Sequence, residues 1–191
     1  MKRIAVFCGS NSGVNLNFKI QALNLGKKLA ESNIELIFGG GKVGLMGAVA
    51  DGVLQNGGKV TGVLPQFLKR KELEHLDLTE IIIVDNMHER KAKMYDLCDG
   101  VIALPGGFGT LDELFEVLTW AQLSLHQKPI AILNINGYYN ALIDFIETMI
   151  KNEFLKEEYR NLLLISDNIE DLLSKMESYV PLNNDKWFVV K

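Results

Sequence analysis

Six short apolar runs alternate with longer helical patterns along this chain, and that alternation restricts the fold more than any other feature. The runs are Arg3 to Phe7, Ile34 to Phe38, Lys59 to Leu64, Glu80 to Val84, Gly100 to Leu104 and Pro129 to Leu133. Between them, apolar residues recur at helical spacing over Leu16 to Ser32, Gly44 to Asn56, Met87 to Leu97 and Thr110 to Leu123, with a further helix from Tyr138 to Lys151. Strands that are continuously Val, Ile and Leu, rather than alternating with polar residues, belong to a parallel sheet buried on both faces. The expected architecture is therefore α/β: a doubly wound, Rossmann-like parallel sheet with helices on both faces. A chain of 191 residues that is 48% apolar suffices for one core, and no linker or repeat divides it, so residues 1–191 read as a single domain. The tail adds a short helix near Asp167 to Met176 and a last apolar run, Trp187 to Val190.

Charge and cysteine content narrow the function. A net charge of −4 argues against a nucleic acid polymer as partner, because such partners require a basic surface to replace counterions. Ile4 to Phe7 is too short for a signal-peptide core or a membrane span, which points to the cytoplasm and away from membranes. Cys8 and Cys98 lack the spacing of a disulfide framework or a zinc site, and the free thiols read as small buried hydrophobes. His75, His88 and His126 form no pair that would hold a metal, so no metal and no cofactor are expected.

In an open parallel sheet, ligands bind beyond the carboxyl ends of the strands. Four such ends carry small and polar residues here: Cys8 to Gly13, Gly39 to Gly44, Asp85 to Lys91, and Pro105-Gly106-Gly107-Phe108-Gly109-Thr110-Leu111-Asp112-Glu113. The last joins a strand end to a glycine turn and a helix start. Its glycines let several backbone N–H groups converge on one anion, and the helix adds its positive dipole end. Gly39, Gly41 and Gly44 satisfy G-x-G-x-x-G, yet they follow the second strand, and the strand about twenty residues on ends in Leu64-Pro65 with no acid for a ribose. No Gly-Lys-Ser or Gly-Lys-Thr marks a P-loop. A smaller phosphate ester such as a mononucleotide fits better than a dinucleotide.

Two residues in these loops carry candidate chemistry. Thr110-Leu111-Asp112-Glu113 is at once a capping box and a helix start with an acid, so Glu113 is either a cap or a catalytic carboxylate. The glycine cradle favours the second reading. Arg90 falls on the same rim with Lys91 beside it. The helix from Thr110 to Leu123 is apolar around most of its circumference, through Leu111, Leu114, Phe115, Val117, Leu118, Trp120, Ala121 and Leu123. Its own sheet cannot cover every face, which predicts a homodimer.

The chain resembles the LOG-type ("lonely guy") phosphoribohydrolases, long labelled lysine decarboxylase-like. The likeness rests on P-G-G-x-G-T-x-x-E at Pro105 to Glu113, Met-His-Glu-Arg-Lys at Met87 to Lys91, Gly39 to Gly41, Gly44-Leu45-Met46-Gly47, Cys8-Gly9-Ser10 and Asn136-Gly137-Tyr138-Tyr139. The resemblance implies hydrolysis of the N-glycosidic bond of a nucleoside 5′-monophosphate, with Arg90 and Glu113 as the catalytic pair. It implies a phosphate loop at Gly106, Gly107, Gly109 and Thr110, and substrate contacts at Glu72 and Lys91. Gly9, Ser10, Gly40, Gly41, Gly44 and Asp112 are assigned to the substrate-facing rim, and Met46, Met87, His88 and Trp120 are candidates for the wall around the base. Asp112 stands where glutamate is common and Asn86 where aspartate is common, departures that bear on base preference. A nucleotide carrier and a pyridoxal phosphate decarboxylase are the rival readings; no lysine has a motif-grade setting for the second.

Overall fold

The computed structural model describes residues 1–69, 75 and 77–182. Among these residues, seven parallel strands form one sheet: β1 (Arg3–Phe7), β2 (Glu35–Phe38), β3 (Val60–Pro65), β4 (Glu80–Val84), β5 (Gly100–Ala103), β6 (Ile130–Leu133) and β7 (Leu163–Ser166), in the order β4-β3-β2-β1-β5-β6-β7. The helices are α1 (Leu16–Glu31), α2 (Gly44–Leu54), the single turn α3 (Gln66–Lys69), α4 (Met87–Leu97), α5 (Phe108–Gln122), α6 (Asn140–Lys151) and α7 (Ile169–Glu177). Six strands and the principal helices lie where the hydrophobic pattern places them. The seventh strand, β7, pairs with β6 from Ile130↔Leu163 to Leu133↔Ser166 and was not anticipated. Glu72 and the run Trp187 to Val190 lie outside the described residues.

The apolar strands serve two cores. Successive side chains point to opposite faces, so Ile4 and Val6 of β1 join Leu36 and Phe38 of β2 against α1, α2 and α7. Ala5, Phe7 and Ile37 join Val101 and Val63 on the other face, against α4, α5 and α6. Each such fully buried Ile, Leu or Phe stabilises the fold by about 1.5–3 kcal/mol, which is why near-continuous apolar strands are tolerated only in a sheet covered on both sides. Among the described residues no helix is long and apolar enough to cross a membrane.

Topology positions the site. β1 pairs with β2 on one side and β5 on the other, so the chain leaves these neighbouring strands toward opposite faces and opens a crevice at their carboxyl ends. The loops after β1 and β5 meet there: the Gly9 N–H donates to the Pro105 carbonyl at 3.0 Å. The loop after β2 is held to them by the Leu45 N–H, which donates to the Gly9 carbonyl at 3.0 Å. Gly44, with φ of +66°, lies so close to the Ser10–Asn11 backbone that a β-carbon would collide with it. Farther back, α1 and α2 touch backbone to backbone, with Gly26 against Val49 and Gly52 against Leu23.

Candidate active site

The crevice is a cavity of about 630 Å³, within the usual range for small-molecule sites. Gly9, Ser10 and Gly41 line one side, Gly106, Gly107, Gly109 and Thr110 another, and Met46, Met87, Arg90, Asp112 and Glu113 complete the set of expected residues found in it. Gly40 and Gly44 are not among the lining residues. Gly40 has φ of +74° and accepts a hydrogen bond from the His75 N–H at 2.9 Å. Lys91 does not line the cavity. It donates to Asp112 Oδ2 and Glu116 Oε1, both at 3.1 Å, and these bonds outweigh burial and hold its pKa above the ordinary lysine value.

The helix start at the glycine turn differs from the simple capping-box pattern. α5 begins at Phe108 with Gly107 as N-cap and no side-chain cap, so Thr110 sits inside the first turn and the Thr110–Glu113 pair is not a capping box. That leaves the N-terminal amides of α5 without a side-chain acceptor and gives this helix end its anion-binding character. A side-chain cap does form one helix earlier, where Asn86 Oδ1 accepts from the Glu89 N–H at 3.0 Å and Asn86 Nδ2 donates to Glu89 Oε1 at 2.8 Å. It fixes the start of α4 and thereby the position of Arg90 one turn on.

Glu113 points into the cavity floor and is only 8% exposed. Arg90 Nη2 lies 3.8 Å from its Oε1, an ion pair too long for a hydrogen bond. Burial pushes the Glu113 carboxyl up to about 7, although the Arg90 guanidinium pulls it the other way. Arg90 Nε is buried and has no hydrogen-bond partner. A buried donor without a partner is costly, a cost carried here by a residue that also lines the cavity. The guanidinium occupies the space that a side chain at position 39 would need: a β-carbon on Gly39 would run into Arg90 Nη2. The thiol of Cys8 is buried beside this pair, and desolvation raises its pKa, which makes it inert rather than nucleophilic.

Of the candidate wall residues, Met46 and Met87 line the cavity. His88 is exposed, and Trp120 packs edge-on to Tyr95 with ring centroids 5.0 Å apart. The apolar wall also includes Leu64, Leu68 and Phe18, which the motifs did not identify, and Tyr138, which belongs to a motif but was given no part in the site, stands at the rim. Among the described residues no group of acids, histidines and cysteines could hold a metal ion.

Comparison with known proteins places the chain in a family. Residues 46–176 match a family model described as "Possible lysine decarboxylase". The chain is 44% identical over 180 residues to cytokinin riboside 5′-monophosphate phosphoribohydrolase LOG1 of Arabidopsis thaliana, covering 94% of this chain and 84% of that protein. It is 43% identical to LOG5 of the same plant, covering 100% of this chain and 86% of the relative. In fold it is similar to the molybdenum cofactor binding protein of Rippkaea orientalis, with a TM-score of 0.71 at 22% identity, over 93% of this chain and 97% of that one. The chain belongs to the LOG family of phosphoribohydrolases.

Proposed function

We propose that this chain hydrolyses the N-glycosidic bond of nucleoside 5′-monophosphates, cytokinin riboside 5′-monophosphate and AMP among them, to give free base and ribose 5-phosphate. The observation that carries the reading is the pairing, in one cavity, of an uncapped glycine-rich helix start with the buried Arg90–Glu113 pair. The phosphate sits on the amides of Gly106, Gly107 and Gly109 and the hydroxyl of Thr110. Departure of the base builds positive charge on the ribose, and the Glu113 carboxylate stabilises that charge and takes a proton from water as the water oxygen bonds to the anomeric carbon and the C–N bond breaks, the proton ending on the departing base. Arg90 stays charged throughout, so it orients rather than protonates, its guanidinium set in the cavity beside Glu113. Leu64, Leu68, Met46 and Met87 suit the base and an apolar substituent on it.

Among the described residues lining the cavity there is no lysine to form the Schiff base that a decarboxylase would need. Free base released from a panel of monophosphates and their parent nucleosides, read by chromatography, tests the reading. Monophosphates should be cleaved, and nucleosides should lose about 10²–10⁴ in kcat/KM, the worth of two charge-assisted hydrogen bonds to the phosphate. Equal rates would remove the phosphate cradle, and binding without release would make the protein a carrier.

The enzyme acts in the cytoplasm, where its buried free thiols persist, as a one-domain chain that pairs into a homodimer. The outward face of α5 supports the pairing: Phe108 is 94% exposed, and Leu111, Phe115 and Trp120 continue an apolar stripe from it. Phe108 and Asp112 belong both to that face and to the cavity, so a second copy would also wall the open side of the site. Sedimentation at micromolar concentration should give twice the mass of one chain; the mass of a single chain would rule the dimer out.

A further inference from the structure

Tyr138 and Tyr139 lie between β6 and α6, outside the chemistry just described, yet both hydroxyls reach the loop after β5. The Tyr139 O–H donates to the Leu104 carbonyl at 2.6 Å in a buried bond, and the Tyr138 O–H donates to the Gly106 carbonyl at 2.7 Å. The carbonyl between them, that of Pro105, accepts the Gly9 N–H. Three successive carbonyls are therefore each held by a donor from another part of the chain. In a trans peptide the C=O and the following N–H point in opposite directions, so tethering the Pro105 and Gly106 carbonyls turns the N–H groups of Gly106 and Gly107 away from those tethers.

We propose that Tyr138 is a positioning residue for the phosphate-binding loop, its hydroxyl fixing the Gly106–Gly107 peptide so that the amide is aimed before ligand arrives, while Tyr139 anchors the same loop from beneath. The proposal rests on reading that loop as the phosphate site. The tyrosines are themselves held in place by a rigid turn. Asn136 and Gly137 are both left-handed, with φ of 54° and 69°, and swing the chain back toward β5. Asn134 Oδ1 accepts the Tyr139 N–H at 2.8 Å, Asn134 Nδ2 donates to Asn140 Oδ1 at 2.8 Å, and Asn17 Nδ2 donates to Asn136 Oδ1 at 2.9 Å. The Tyr138 ring packs edge-on to Phe18 and to Tyr139, with centroids 5.7 and 4.9 Å apart. An aimed amide loses less freedom when it binds, which is the gain that preorganisation offers.

Tyr138→Phe keeps the ring and removes only the hydroxyl. Inorganic phosphate binding, followed by calorimetry, should weaken about fivefold, the worth of one neutral hydrogen bond, and KM for AMP should rise by a similar factor while kcat falls less. Tyr139→Phe leaves a buried carbonyl without its donor and should instead lower the melting temperature by about 3–6 °C, with a smaller change in KM. Phosphate affinity in Tyr138→Phe equal to that of the wild type overturns the assignment whatever happens to turnover. A wild type that binds phosphate but leaves AMP intact removes the hydrolase and spares the clamp; a wild type that binds no phosphate removes both.

Discussion

Glu113→Gln should fold and yet lose about 10²–10⁴ in turnover of nucleoside monophosphates, because the amide can neither take a proton from water nor balance positive charge on the ribose. The same substitution should make the protein more stable in mild base. Burial pushes the Glu113 pKa up to about 7, well above its value in an unfolded chain. The contribution of this group to stability is therefore complete below the unfolded value of about 4.5, and is lost as pH rises through about 7. Holding an ionised Glu113 in the fold at pH 8 costs about 3 kcal/mol, and glutamine, which resembles the protonated acid, escapes that cost. Urea unfolding at pH 5 and pH 8 should show the variant gaining on the wild type only at the higher pH. Activity moves the opposite way. With the carboxylate as the working form, kcat/KM of the wild type should climb through about pH 7 and level off above it. Full turnover by Glu113→Gln would end the assignment.

Gly39→Ala should remove activity by a different route. The added methyl meets the Arg90 guanidinium, which is the far end of a long side chain and can swing aside, and no positive φ at Gly39 adds backbone strain. The fold should therefore survive with its melting temperature within a few degrees of the wild type, while the displaced guanidinium costs about 100-fold in kcat/KM. Kinetics alongside a thermal melt would check both halves. Retained activity would mean that the exact seat of Arg90 is immaterial, and a collapsed melt would mean that Gly39 serves packing instead.

The sheet was largely legible in the sequence because a doubly covered parallel sheet writes itself as unbroken Val, Ile and Leu between helical periods. β7 was harder to see. Its four residues follow directly on a 3₁₀ turn over Glu157–Leu162, and a short apolar run beside a helical pattern has no period of its own. Its strand character comes from the β6 edge it pairs with. At the site, Arg90 and Glu113 could be brought together because each lies just past a strand end, and strand ends of one sheet share a rim. Gly40, Gly41 and Gly44 were assigned alike to the substrate-facing rim, whereas Gly40 supports a turn and Gly44 lets two loops touch, and Gly39, outside that assignment, makes room for Arg90. Distinguishing these uses requires knowing what lies opposite each glycine. Phe18 and Tyr138 reach the cavity from α1 and from the turn after β6, a juxtaposition created by packing rather than by any local pattern.

The contact of α1 with α2 through Gly26 and Gly52 makes one side of the crevice stiff. Each helix is the continuation of a rim loop, one following β1 and the other β2, and those loops are joined again where Gly44 meets Ser10. Fastened at both levels, this half of the crevice behaves as a solid jaw that cannot hinge without breaking backbone contacts in the core. A substrate then meets this wall already in its final shape, and no closing motion of the half built on β1 and β2 is needed to complete the site.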